Sequence, residues 1–319
     1  MTIGLIGWGL TGVPQSYFGH LTLGALFIFS IASGVASVAF KDVMGKTIPK
    51  GNRGRLLATR ATGGGILTIA AGFVFYFIAN NGGELRYFQW LIYGASALWV
   101  IAALLFAAIS ESKGATSGSR SPLHEIKKGW SIFLNDDTFR NFLFVRGLLM
   151  AIPLSLPFLI AYSQEILDTS LNQLGFFVVV AGVANAISSP FWGRFSDQSS
   201  KLLMTVIAAL GIAILMIAFL YEYLPFRYQN VYTYLPILFL MTIAHGGARL
   251  GRKTYLVDYA PEEERPLYVA FANTVIGIFT LISGLLGIIA SQADFKVLLL
   301  VLMGLLVLAV LLSHKLKSV

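Results

Sequence analysis

Arg146 is the residue in this chain of 319 best placed to hold a charged solute. It stands about two turns into an otherwise apolar helix and is the deepest basic residue along the sequence. A guanidinium there could fork onto an anion; equally, its apolar stem could let the charge snorkel to lipid phosphates. Tyr162 and Gln164 close the far end of the same apolar run. Glu165 and Asp168 lie just outside it, where a solvated loop is the expected setting. His245 and Arg249 sit one turn apart in a later apolar stretch. An imidazole there could couple a proton to transport or serve as a hydrogen-bonded packing group. Asn185 and Asn273 are amides suited to holding helices together.

Much other chemistry is missing. The chain has no Cys, which removes disulfides, thiolate nucleophiles and Cys-ligated metals. Its four His form no HxxxH pair, so no metal site is expected. No paired carboxylates or nucleophile with a base point to an enzyme. Thr62-Gly-Gly-Gly65 is not followed by the Gly-Lys-Ser/Thr of a phosphate loop; close helix packing is its better explanation. No cofactor is implied. No Asp or Glu falls in the centre of an apolar run, so coupling stays open between His245, an unseen carboxylate and none.

The elements that must position these residues are membrane spans. The chain is 56% hydrophobic and 12% charged, with mean hydropathy +0.76, against about 25% charged for a soluble domain. Uncharged stretches near the ~20 residues needed to span a bilayer fall at about 21–40, 61–80, 87–109, 147–164, 169–192, 202–221, 228–248, 268–292 and 297–313. Residues 1–13 are apolar but too short to span. Runs such as LLLVLMGLLVLAVLL lack the alternation of a β-barrel, so the expected class is an all-α membrane protein in a lipid bilayer. If the loops after 40, 110, 193, 248 and 313 share one side, that side carries twenty Lys and Arg and the other only Arg86, Arg227 and Lys296. This bias places the basic loops and the C-terminus in the cytoplasm. It also accounts for the net charge of +8 without a nucleic-acid partner.

Laid on itself with an offset of 212, the chain matches at thirteen of 42 positions between residues 31–72 and 243–284. Gly34/Gly246, Lys41/Lys253, Pro49/Pro261, Arg53/Arg265, Gly65/Gly277 and Gly72/Gly284 are among them. Both segments pass from one helix through a basic Pro-x-x-x-Arg loop into the next, so the repeat is parallel. It divides the chain into 1–110, a linker at 111–138 and a six-helix unit at 139–319. By the same offset, the first unit is expected to lack about two helices and a loop, with residues 1–13 the stump of a third.

Gly193-Arg-Phe-Ser-Asp197-Gln-Ser-Ser-Lys201 resembles the loop signature G-x-x-x-D-R-x-G-R/K of the major facilitator superfamily, with Gln198 and Ser200 departing from it. Pro49-Lys-Gly-Asn-Arg53-Gly54 resembles the family's P-x-x-x-R-G, and Pro261 and Arg265 repeat its Pro and Arg. The resemblance implies two parallel six-helix halves, here with the first truncated. It also implies a secondary transporter of a small solute that works by alternating access. A gating role follows for Gly193, Asp197, Lys201, Pro49, Arg53, Pro261 and Arg265. Substrate or coupling roles fall to Arg146, Tyr162, Gln164, His245 and Arg249 on helices that line the cavity in such proteins. Asp197 is expected to cap the helix that follows it, and Lys201 to anchor that helix among phosphates. A monomer in a bacterial inner membrane is the expected setting. A non-transporting sensor or scaffold of the same fold, or a nonfunctional fragment, is the alternative.

Overall fold

The structure, a computed structural model, describes residues 2–12, 14–80, 85–110, 122–167, 174–283, 286–287 and 294–318. Asp168 and the first part of the expected linker, 111–121, lie outside the described residues. In chain order the helices are α1 (Thr2–Gly12), α2 (Gln15–Thr47), α3 (Arg53–Asn80), α4 (Leu85–Ala107), α5 (Pro122–Asn135) and α6 (Asp137–Leu148). There follow α7 (Ala151–Leu167), α8 (Leu174–Leu220), α9 (Val231–Tyr259), α10 (Arg265–Ser283) and α11 (Phe295–Ser313). No strand occurs among the described residues.

Eight stretches among them are long and apolar enough to cross a membrane. α8, which carries one of them, is 47 residues long, about 70 Å at 1.5 Å per residue and more than twice a ~30 Å hydrocarbon core. It breaks at Ser199, whose φ of −161° and ψ of 97° are extended. Two arms result, 174–198 and 200–220, and the nine expected crossings are recovered. The expected span 147–164 is also two helices. α6 ends at Leu148 and α7 begins at Ala151. Pro153 sits in the first turn of α7, where its missing N–H costs nothing, but its ring would clash with a helical carbonyl at Leu149. α6 is N-capped by Asp136, which accepts from the Phe139 N–H at 3.0 Å. α9 opens on a capping box between Asn230 and Thr233.

The repeat is visible in the turns. α2 ends at Thr47 and α9 at Tyr259; α3 begins at Arg53 and α10 at Arg265. Both boundaries are offset by 212 residues. In each turn the first residue past the helix closes it in the same way, Ile48 N–H onto the Met44 carbonyl and Ala260 N–H onto the Leu256 carbonyl, both at 3.0 Å.

The core lies chiefly in α6–α11, where Phe139, Phe142, Ile152, Leu203, Ile207, Tyr255 and Leu306 are fully buried. Half of the most apolar stretch of α9 is buried within the chain, but none of that of α4, where Leu104 and Leu105 are bare. A helix that is apolar all round and unburied belongs in lipid. α3 runs antiparallel to the first arm of α8. A Cβ on Gly65 would come within 2.7 Å of the Gly182 carbonyl, and one on Gly72 within 2.8 Å of the Val179 side chain. The close packing expected of the Gly triplet therefore belongs to Gly65 alone; Gly63 and Gly64 face open space. α5 rests on α10 through Phe133 and Phe271 and on the turn before it through the Lys128–Glu264 ion pair at 2.6 Å.

Candidate functional site: a latch and a basic cavity

The two motif loops meet. The Asp197 carboxylate, at the end of α8's first arm, reaches the first turn of α3. One oxygen accepts from the Gly54 N–H at 2.6 Å and the other from the Arg55 N–H at 2.8 Å. These are two of the four amides that a helix start leaves without an internal partner, and a carboxylate there also meets the positive end of the helix dipole. Asp197 thus caps α3, not the arm that follows it. That arm is capped instead by Ser199, whose hydroxyl accepts from the Leu202 N–H at 3.2 Å. Glycine is required on both sides of the seam. A Cβ on Gly54 would stand 2.5 Å from the Gly193 carbonyl, and one on Gly193 would meet Ala58 and the Gly54 carbonyl.

Arg53 locks the same corner. Its Nε donates to the Ile48 carbonyl at 3.0 Å and its Nη2 to the Gly45 carbonyl at 2.8 Å, both at the end of α2. Nη1 forms a buried ion pair with Asp258 near the end of α9 at 2.6 Å. Its repeat counterpart Arg265 is as deeply buried, yet its Nε and Nη1 have no hydrogen-bond partner. Pro49 and Pro261 shape the two turns, their carbonyls accepting from Asn52 and Glu264 N–H groups. Lys201 donates to the His314 carbonyl at 3.1 Å, just past the end of α11. This places it on a helix C-terminus, where a cation is stabilised.

Beside this seam, α3, α8 and α9 line an open cavity of about 210 Å³ walled by Arg60, Gly64, Thr68, Asn185, Arg249 and Lys253, among others. Lys253 is in repulsive range of Arg60, Arg146, Arg249 and Arg252, and Lys41 of Arg146, Arg252 and Lys253. Six cations from α2, α3, α6 and α9 therefore form one cluster, with His245 beside Arg249 and Arg252. Their neutral partners are two amide oxygens. Asn273 Oδ1 accepts from Arg146 at 3.0 Å and Lys41 at 3.4 Å, and Asn185 Oδ1 from Arg249 at 3.5 Å. Arg60 lies over the Phe40 ring, 4.2 Å from its centroid. A second crevice, about 310 Å³ between α6, α7, α10 and α11, holds no charged side chain.

The structure thus brings Arg146, His245 and Arg249 into one neighbourhood, and leaves Tyr162 and Gln164 elsewhere. Tyr162 is 16 residues beyond Arg146, at the other end of the α6–α7 span. Its hydroxyl donates to Glu222 at 2.8 Å, and Glu222 is ion-paired with Lys296. Gln164 is half-buried. Sequence reasoning missed Lys41, Arg60, Arg252, Lys253 and Asp258 as site residues. The signal was present: Lys41 and Lys253 are a repeat pair, and 245, 249, 252 and 253 fall on one helical face. Among the described residues no three His, Asp or Glu side chains converge as metal ligands would.

Fold and site together define a polytopic α-helical membrane protein whose first and last groups of helices are latched to each other at one membrane face. A family model described as Major Facilitator Superfamily matches residues 1–221 and 143–316. The chain belongs to the Major Facilitator Superfamily. It is 24% identical over 267 residues to the uncharacterized protein Rv2209 of Mycobacterium tuberculosis (strain ATCC 25618 / H37Rv), a match covering 82% of this chain and 51% of that protein. The uncharacterized protein Mb2232 of Mycobacterium bovis matches to the same extent. The chain spans about half the length of the curated relatives it matches. Among solved structures, it is similar to a bacterial homologue of the iron transporter ferroportin in an outward-facing state, with TM-score 0.63, 16% identity and coverage of 98% of this chain and 83% of that one. FucP, a Major Facilitator Superfamily transporter in an outward conformation, gives TM-score 0.64 at 13% identity, covering 98% of this chain and 81% of that one.

Proposed function

We propose that the chain acts in secondary transport of a small solute by alternating access. The solute occupies the cavity between α3, α8 and α9, and the Asp197 latch gates the basic side, which the charge asymmetry makes cytoplasmic. The observation that carries this reading is the two-oxygen bond from Asp197 to α3. A helix cap between separate helical groups is lost if those groups part, so it biases a two-state equilibrium. Both structural neighbours are described in outward-facing states, in which a latch on the cytoplasmic side would be shut.

Gly64 provides the test, because it lines the cavity, has open space around it, and the chain has no native Cys. A Gly64→Cys variant reconstituted in vesicles should react with a membrane-impermeant thiol reagent from either side, in separate conformations. Reaction from one side only, under all conditions, would favour the non-transporting sensor.

A further inference from the structure

We propose that the basic cluster beside the latch is a binding site for a small, multiply charged anion, and that such an anion is the transported solute. The second half of this statement rests on the transport reading; the first does not. Three observations carry it.

The first is charge without counter-charge. Lys41, Arg60, Arg146, Arg249, Arg252 and Lys253 come from four helices, and among the described residues none of them is ion-paired. The nearby carboxylates are engaged elsewhere: Asp258 on Arg53, Asp42 on Lys46 and Asp197 on α3 amides. Like charges gathered in a partly buried site repel, and an opposite charge entering it relieves that repulsion.

The second is depth. Snorkelling, the bland explanation of basic residues near a membrane face, needs the charged tip to reach water or phosphate. Lys41 is 3% exposed and Arg146 is 9% exposed, which leaves little of either side chain at the surface; Arg249, Arg252 and Lys253 are half-buried, and Arg60 is exposed. Nε of Arg146 is buried with no partner at all.

The third is unused hydrogen-bonding capacity. Each guanidinium offers five N–H donors and each ammonium three, yet among the described residues the six side chains make only three hydrogen bonds, all to amide oxygens. Asn185, on the cavity wall, and Asn273, beside Arg146 and Lys41, turn acceptors toward the cations. A phosphate or polycarboxylate supplies several acceptor oxygens and matches guanidinium forks two bonds at a time. A cavity of about 210 Å³ is below the ~300–1,000 Å³ typical of drug-sized ligands, which suits a compact anion.

A free anion and an anionic lipid headgroup share this chemistry, and the test separates them. The purified chain is melted in detergent at constant ionic strength, with chloride as baseline. The probes are inorganic phosphate, sulfate, succinate and glucose 6-phosphate, with glucose and choline as uncharged and cationic controls. At least one anion should raise the melting temperature saturably, by about 5 °C at a hundredfold excess over Kd, and the controls should not. Arg249→Gln and Lys253→Gln should each weaken that anion at least tenfold, while Lys315→Gln, exposed near the C-terminus, should not. Because the glutamines remove a repelled charge, both variants should melt no lower than the parent without anion. This separates lost binding from lost folding. A shift given by micelles with phosphatidylglycerol but not phosphatidylcholine, and by no soluble anion, assigns the site to a headgroup and removes its role as a solute site. No shift with any anion, or full shifts in both glutamine variants, overturns the proposal. Anion binding without counterflow of that anion in vesicles would sink the transport reading and leave the site. Counterflow of glucose that no anion inhibits would do the reverse.

Discussion

Replacing Asp197 with Ala removes both acceptors that hold the α3 amides, and the size of the effect can be worked from the geometry. The two bonds are short, 2.6 and 2.8 Å, and the acceptor is a carboxylate. Hydrogen bonds to charged groups contribute about 1.5–3 kcal/mol each when a buried partner is stranded. When the latch opens, however, the carboxylate and both amides regain water, so the difference between states is smaller. The loss of an N-cap, about 0.5–2 kcal/mol, is the appropriate scale, and two bonds place this one in its upper half. A shift of about 1–2 kcal/mol against the closed state multiplies the open-to-closed ratio by roughly 5 to 30. The assay is the reaction rate of Gly64→Cys with an impermeant maleimide added from the basic side. If opening is fast relative to labelling, that rate is proportional to the open fraction. Asp197→Ala should therefore label about 5 to 30 times faster than the parent, and Asp197→Asn, which keeps one carbonyl oxygen, should fall between. Asp294→Ala is the control. Asp294 caps α11 by accepting from the Lys296 N–H at 2.8 Å, within one helical group. It should lower the melting temperature without changing the labelling rate. A less than twofold change in Asp197→Ala, or an equal acceleration in Asp294→Ala, would refute the idea that this carboxylate holds a gate.

The remaining predictions are read by melting temperature and by labelling. Gly65→Ala drives a Cβ against the Gly182 backbone carbonyl and the Ala186 N–H and should cost about 1–3 kcal/mol as overpacking; Gly63→Ala, in open space, should leave the melting temperature unchanged or raise it, and equal effects at both positions would contradict the α3–α8 contact. Arg53→Gln and Asp258→Asn should each destabilise by about 3–5 kcal/mol by stranding a buried partner. The double variant should recover part of the loss but not all, because Arg53 also holds the Gly45 and Ile48 carbonyls; strict additivity would mean that the pair contributes nothing. Cysteines at Gly51 and Glu263, in the two exposed motif turns, should label from one side, and a cysteine at the exposed Phe226 from the other. Labelling of all three from one side would overturn the orientation.

How far the sequence carried this structure depends on which link was local and which was not. Span positions, the repeat and the turn at each Pro-x-x-x-Arg were legible because hydropathy and turn chemistry act over a few residues. The two helix boundaries then fell 212 residues apart in the fold as in the alignment. Partners were not legible, since a carboxylate on a loop can cap any helix whose start lies within reach. Two helices begin near Asp197: the arm after Ser199, close in sequence, and α3, some 143 residues away. Local reasoning chose the near one. What decides for the far one is that Ser199 already caps the near arm, while Gly54 and Gly193 have no side chains to hold α3 and α8 apart. The basic cluster was hidden for a related reason. Counting Lys and Arg by side of the membrane assigned Lys41, Arg60, Arg252 and Lys253 to topology, and topology explains how many cations a side carries but not where their tips point. Lys41 and Lys253 matched in the repeat as if they were loop residues; in the fold both lie within range of Arg146 and Arg252. Where a positive-inside excess also recurs in register between repeats, the repeated positions are therefore the ones to place in three dimensions first, because orientation alone does not require a cation at a fixed register.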